Sequence, residues 1–200
     1  MNKAHLQFGQ SSFSASCQSS VSSSGLFGFG LCAIFFNLFQ AGLFPVDVTI
    51  LAMGVFYGGV SQITVGLMEW HKNNFFGAAA FVSFGLFWLS LVGFFVLPEA
   101  GFGVVPDSMV LSAYFLLWGG FTLILFSSAR QISRSVKLVL ISLVAYFAIF
   151  SLGEATGSIM IGRFAAYCGL AGGCAALYSG TALIVNQVFG RTVLPGGQPR

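Results

Sequence analysis

Phe75–Leu97 reads FFGAAAFVSFGLFWLSLVGFFVL, and no charged residue stands between Lys72 and Glu99. A helix needs about 20 predominantly apolar residues to cross the hydrocarbon core of a bilayer, so this run predicts a membrane span. Working outward, charges are also absent between Asp47 and Glu69, between Asp107 and Arg130, and between Arg163 and Arg191. A shorter gap runs from Lys137 to Glu154, and a long one, polar in its first part, from His5 to Asp47. Six spans follow: residues 21–44, 48–67, 75–97, 109–126, 136–155 and 164–185. The fold class expected is an all-α polytopic membrane protein of six transmembrane helices.

Composition agrees. Hydrophobic residues make up 56% of the 200-residue chain and charged residues 6%, against about 25% charged in a soluble domain. So few charges cannot clothe a water-facing surface, which leaves lipid as the solvent. Phe, with 24 copies, faces lipid readily, and Gly, with 26, lets helices approach closely. The net charge of +3 comes from scattered residues with no basic stripe, so no nucleic-acid partner is expected. The four cysteines, Cys17, Cys32, Cys168 and Cys174, form no CxxC pair and read as small buried hydrophobes.

Residues 1–20 are Ser-rich and lack a charged start followed by an apolar core, so a disordered tail is expected rather than a cleaved signal peptide. Residues 21–189 form the transmembrane domain, and residues 190–200 a C-terminal tail. Excess Lys and Arg mark cytoplasmic loops. With the N-terminus inside, the inner face collects Lys3, Lys72, Arg130, Arg134, Lys137, Arg191 and Arg200, while the outer face keeps Arg163 beside Asp47, Glu99 and Asp107. Both termini are therefore expected in the cytoplasm. Gly54-Val-Phe-Tyr-Gly58 and Gly169-Leu-Ala-Gly-Gly173 read GxxxG, and Gly25, Gly28 and Gly30 crowd the first span. Such notches pack helices within one protomer or join protomers.

Polar groups at membrane depth are costly unless paired or wet. Asn37, Gln62, Ser83 and Ser142 lie well inside spans, where they could bond a dehydrated carboxylate or another helix. Glu154, near the outer end of the fifth span, is either a proton or entry site or the partner of Arg163. Glu69, Trp70, His71 and Lys72 form an inner cap, in which Trp70 fits the interfacial aromatic belt. HExxH, GxSxG and P-loop patterns are absent, and two His without clustered thiolates offer no metal site. Neither an enzyme nor a cofactor is expected.

Ile50–Gly77, ILAMGVFYGGVSQITVGLMEWHKNNFFG, followed by FVSFGLFWLSL at Phe81–Leu91 and FGRTVLP at Phe189–Pro195, closely resembles the acetate uptake transporter family, which includes the bacterial acetate/succinate permeases. The likeness runs without gaps from about Gly25 to Pro195. It implies cytoplasmic termini and a homohexamer in the cell membrane, with a pore in each protomer for acetate and often succinate. It also implies a constriction of Phe, Tyr and Leu, which fall on Phe29, Phe84 and Leu143, and a position linked to substrate choice, Ala176. Phe29, Phe84 and Leu143 each lie seven to nine residues from an expected span start, which places them at a similar depth. An apolar ring there would resist hydrated ions yet pass a small solute with a methyl end.

The sequence departs from the family pattern twice. The usual NPAPLGL opening of the first span is Ser20-Val-Ser-Ser-Ser-Gly-Leu26, and Phe84 stands for Tyr. The second change predicts a more apolar neck, less tolerant of a dicarboxylate. The leading expectation is therefore passive or proton-coupled transport of acetate and related carboxylates. The alternatives are a pore for another small solute such as ammonia or water, and a non-transporting membrane sensor or assembly protein, the latter motivated by the altered opening.

Overall fold

The computed structural model describes residues 3–129 and 132–196, with residues 3–21 as backbone alone. Arg130 and Arg200, and the side chains of Lys3 and Cys17, lie outside the described residues. The elements are α1 (Lys3–Gln40), α2 (Val48–Met53), a π-helical segment (Gly54–Ser61), α3 (Gln62–His71), α4 (Phe75–Glu99), α5 (Ser108–Ser128), α6 (Arg134–Thr156) and α7 (Ile159–Phe189). Six helical stretches are long and apolar enough to span: Ser22–Gln40, Val48–His71, Phe75–Glu99, Ser108–Ser128, Arg134–Thr156 and Ile159–Phe189. The second of these joins α2, the π segment and α3 into one continuous rod.

Helix α1 runs from Lys3 to Gln40. No proline interrupts residues 3–40, so the apolar half of α1 propagates its hydrogen-bond ladder into the Ser-rich half once nucleated. Other ends follow from capping. Asp47, Asn74, Asp107 and Ser133 accept from backbone N–H groups at the starts of α2, α4, α5 and α6. Gly157 and Gly190 close α6 and α7 in the left-handed conformation, at φ 65° and 61°.

The spans close into a ring in which chain neighbours are spatial neighbours. The α2–α3 rod lies antiparallel on α4, and glycines set the spacing. A Cβ on Gly54 would meet Val92 at 2.7 Å, one on Gly58 would meet Trp88 at 2.7 Å, and one on Gly66 would meet Val82 at 2.5 Å. From the other side, a Cβ on Gly85 would meet Ile63 at 2.7 Å. Side chains join α4 to α5: Phe94 and Tyr114 meet edge to face at 4.9 Å, and the Ser90 and Tyr114 hydroxyls lie 2.6 Å apart. Ser112 and Ser151 each donate to the other's carbonyl at 2.9 Å, tying α5 to α6.

The ring closes where α7 packs between α6 and α1. A Cβ on Gly173 would meet Ile34 at 2.9 Å, one on Gly169 would overlap the Asn37 amide, and one on Gly172 would meet Ser142 at 3.3 Å. Both GxxxG motifs therefore face helices of the same chain. The outside of the ring is apolar, with exposed Phe56, Leu67, Leu117 and Ile124 among others, as a lipid-facing surface requires. Of the cysteines, Cys32 is buried and Cys168 half-buried, while Cys174, expected inside, is exposed on α7; Gly172 and Gly173, not Cys174, occupy that helix's packing faces.

Candidate functional site

A ladder of aromatic pairs links α1 and α4. Phe29 meets Phe84 with ring centroids 5.8 Å apart, Phe36 meets Trp88 at 5.8 Å, and Phe39 meets Phe95 at 6.4 Å. Residue numbers rise together on both helices, so α1 and α4 run parallel, from the face bearing Lys72 and Arg191 (the basic face) to the face bearing Asp47 and Glu99 (the acidic face). Phe87 of α4 meets Phe147 of α6 at 5.4 Å. Stepping back three residues on α4 reaches Phe84, and four on α6 reaches Leu143, so these two lie level to within about 1.5 Å. Phe29, Phe84 and Leu143 are each 5% exposed and belong to one buried cluster. The structure thus places the three at one depth, on three parallel spans.

Gln62 and Ala176 join that level. A Cβ on Gly28, next to Phe29, would lie 3.6 Å from Gln62 Cγ. Antiparallel α7 passes Gly173 beside Gly30 and Gly180 beside Ser23, which sets Ala176, fully buried, level with Phe27 and within a helical turn of Phe29. Asn37 stands about 12 Å nearer the acidic face than Phe29, eight residues along α1. Ser83 and Ser142 are half-buried and sit one residue before Phe84 and Leu143, turned about 100° away around their helices.

Polar bonding separates these residues. Asn37 Nδ2 donates to Ala33 O at 2.7 Å, whereas its Oδ1 has no partner among the described residues. Gln62 is fully buried, and among the described residues neither Oε1 nor Nε2 has a partner. The π segment ends directly before it, so α3 starts with an orphaned carboxamide beside the aromatic pair. In a low-dielectric interior such a group carries a large desolvation cost, and it offers both a donor and an acceptor to a passing solute.

Glu154 lies eleven residues beyond Leu143 on α6 and is half-buried. Among the described residues no ion pair joins it to Arg163; the guanidinium lies instead over the α1–α2 turn, where a Cβ on Gly42 would sit 3.1 Å from Nη2. Arg163 starts far enough along α7 that its long stem reaches across to that turn.

Sequence reasoning missed two residues. Glu69, assigned to an inner cap, is fully buried. Ser22 Oγ donates to its Oε1 at 2.9 Å, and Asn74 Nδ2 donates to its Oε2 at 2.5 Å, which joins α1, α3 and the start of α4. The signal was present, since a carboxylate seven residues after Gln62 falls on the same helical face. Trp88 is the second. It is 4% exposed, and its Nε1 has no partner among the described residues.

A closed ring of six spans holds Phe29, Phe84 and Leu143 buried at one depth, with the Gln62 carboxamide near their level. The model of the GPR1/FUN34/yaaH family matches residues 5–195. The chain belongs to the GPR1/FUN34/yaaH family. Within it, the chain is 43% identical over 174 residues to the succinate-acetate/proton symporter SatP of Escherichia coli K12, covering 87% of this chain and 93% of that one. The solved structure of the bacterial acetate channel SatP superposes with a TM-score of 0.87 at 42% identity, covering 89% of this chain and 98% of that one. A more distant family member, the ammonia transport outward protein 2 of Saccharomyces cerevisiae, is 27% identical over 173 residues, 82% of this chain and 60% of that one. Members with these names are transporters and channels rather than enzymes, and this chain is an integral membrane protein.

Proposed function

We propose that this protein carries acetate and other small carboxylates, succinate among them, across a membrane through a pore in each protomer. The observation that carries the reading is the near full-length likeness to SatP, at 43% identity, on a ring fold that buries Phe29, Phe84 and Leu143 in one cluster. In this reading Phe29, Phe84 and Leu143 form the constriction, and Ala176, within a helical turn of Phe29 on α7, sets its width. Gln62 serves both protonation states of the substrate: Nε2 donates to a carboxylate, and Oε1 accepts from a carboxylic acid. Asn37, Ser83 and Ser142 supply further hydrogen bonds along the path. An anion dehydrated in the neck would cost far more than the neutral acid, which favours proton-linked passage, with Glu154 as the group taking up or releasing the proton at the acidic face.

The basic face is cytoplasmic in this proposal, and the protomers assemble as a homohexamer. The test is uptake of radiolabelled acetate into liposomes holding the purified protein. Saturable uptake that propionate inhibits and Leu143→Ala alters is expected; folded protein giving no uptake above empty liposomes overturns the reading in favour of a non-transporting role. A second reading, passage of ammonia, is favoured by the likeness to the yeast ammonia transport protein and by the absence of any charged residue at the neck. Competition separates the two, because ammonium inhibits acetate uptake only if the solutes share the pore.

A further inference from the structure

Tyr146 stands three residues beyond Leu143 on α6, toward the acidic face, and is 3% exposed. Phe147, Phe150 and Phe115 box its ring, with centroids at 5.3, 5.6 and 6.2 Å. Around the helix it lies about 60° from Leu143 and about 40° from Ser142, and Ser142 is where Gly172 of α7 packs. Tyr146 therefore sits between the neck residue and the α7 contact, on the side of α6 turned toward α1, which packs on α7 as well. Its hydroxyl interacts there with the Gln40 side chain of α1, and it lies within electrostatic range of Glu154 on α6 and of Tyr114 on α5.

Gln40 belongs to the α1 stripe that carries the neck. Phe36 and Gln40 follow Phe29 by seven and eleven residues, which returns each to within about 20° of the same helical face. Gln40 is the last residue of α1 and is half-buried. The contact between Tyr146 and Gln40 thus ties the two spans that bear Leu143 and Phe29, on the acidic side of both. Packing alone does not call for a hydroxyl and a carboxamide there, since an apolar pair of the same shape would serve the fold as well.

We propose that Tyr146 and Gln40 form a polar latch on the acidic side of the neck, and that a short-chain monocarboxylate opens it by taking the place of Gln40 at the Tyr146 hydroxyl. The inference rests on the carboxylate-transport reading and adds to it the residue that the carboxyl group meets beside the neck. The phenolic O–H donates, and a carboxyl oxygen accepts in either protonation state. One polar contact replaces another, so the hydroxyl is not left open in a low-dielectric interior. An ionised carboxylate is the stronger acceptor, which favours it over the neutral carboxamide. The room for the solute comes from the parting of the two side chains rather than from a standing cavity.

The test compares radiolabelled acetate uptake by two variants in liposomes. Tyr146→Phe keeps the ring in its aromatic box and removes the donor, and is expected to raise the half-saturating acetate concentration about fivefold or more. Gln40→Leu leaves the hydroxyl without its competing partner, and is expected to lower that concentration about threefold. The double variant is expected to follow Tyr146→Phe, because both changes act on one contact. A contact that served the fold alone would move both single variants in the same direction. In nanodiscs, protein carrying carbon-13 at tyrosine Cζ reports the hydroxyl directly, with Tyr146 assigned by its loss in Tyr146→Phe; its resonance is expected to shift saturably with acetate. Single variants that change in the same direction overturn the latch, as does an unchanged half-saturation in Tyr146→Phe. So does an unmoved Tyr146 resonance in protein that takes up acetate, and each of these leaves the transport reading intact. Absence of uptake by the unaltered protein overturns the transport reading itself.

Discussion

Replacing Glu69 by Ala tests whether the buried carboxyl holds the basic ends of three helices together. The side chain is fully buried and accepts from Ser22 at 2.9 Å and from Asn74 at 2.5 Å. Asn74 also caps α4, accepting from Gly77 N at 3.1 Å, so its orientation matters to two elements. Ala deprives both donors of this acceptor. A buried donor that loses its acceptor costs about 1–3 kcal/mol. Ser22 and Asn74 are only half-buried, so the lower part of that range applies to each. The emptied volume adds about 1 kcal/mol. The sum is about 3–4 kcal/mol, and at about 2–4 °C per kcal/mol for a chain of this size the melting temperature should fall by about 10 °C. Gln at this position keeps the volume and one acceptor but turns a donor toward the other partner, and should lose about half as much. Circular dichroism melts in detergent measure this, with Glu154→Ala, which removes no hydrogen bond of the described structure, expected within about 2 °C of the parent. A Glu69→Ala protein that melts within about 2 °C of the parent, or above Glu69→Gln, would refute the reasoning.

Phe84→Tyr restores a hydroxyl at the neck and should raise succinate uptake relative to acetate; an unchanged ratio in liposome competition would show that neck polarity does not discriminate. Gly169→Ala should drive the new methyl onto the Asn37 amide and destabilise the protein by about 1–3 kcal/mol, whereas Asn37→Ala in the same chain should recover much of the lost melting temperature. Equal melting of the single and double variants would place the strain elsewhere. Asn186 accepts from Val193 N and Leu194 N and donates to Leu194 O, all at 2.8 Å. Asn186→Ala should therefore speed trypsin cleavage after Arg191 several-fold, measured by intact mass over time.

Charge gaps made the six spans legible, because a charged side chain in hydrocarbon is expensive enough to act as a boundary marker. The same logic missed several helix ends by four or five residues. Counting from Arg163 started the last span near Phe164, yet α7 begins at Ile159, since Arg163 reaches over the Gly42 turn and need not end the helix. Glycine spacing announced close packing, and the notched faces are there, but it carries no information on hydrogen-bond register, so the π segment at Gly54–Ser61 was invisible. Periodicity could not tell the neck from the lipid surface either. Phe35 and Phe36 are neighbours in the chain, one 38% exposed and the other 5%, and in a bilayer both environments favour Phe. Family resemblance, not pattern, singled out Phe29 and Phe84.

The distribution of unpaired polar atoms gives the centre of the ring its meaning. Several polar groups that join helices are satisfied: Ser112 with Ser151, Ser90 with Tyr114, Glu69 with Ser22 and Asn74, Asn186 with the C-terminal backbone. Buried atoms left unpaired among the described residues include Asn37 Oδ1, both ends of Gln62 and Trp88 Nε1, and all belong to residues at most 4% exposed. A helix bundle that needed only stability would replace such groups with apolar ones of similar size, at little cost or with a gain. Their presence on the first, second and third spans, from the level of Phe29 toward the acidic face, fits a path along which a hydrogen-bonding solute repeatedly completes what the protein leaves open.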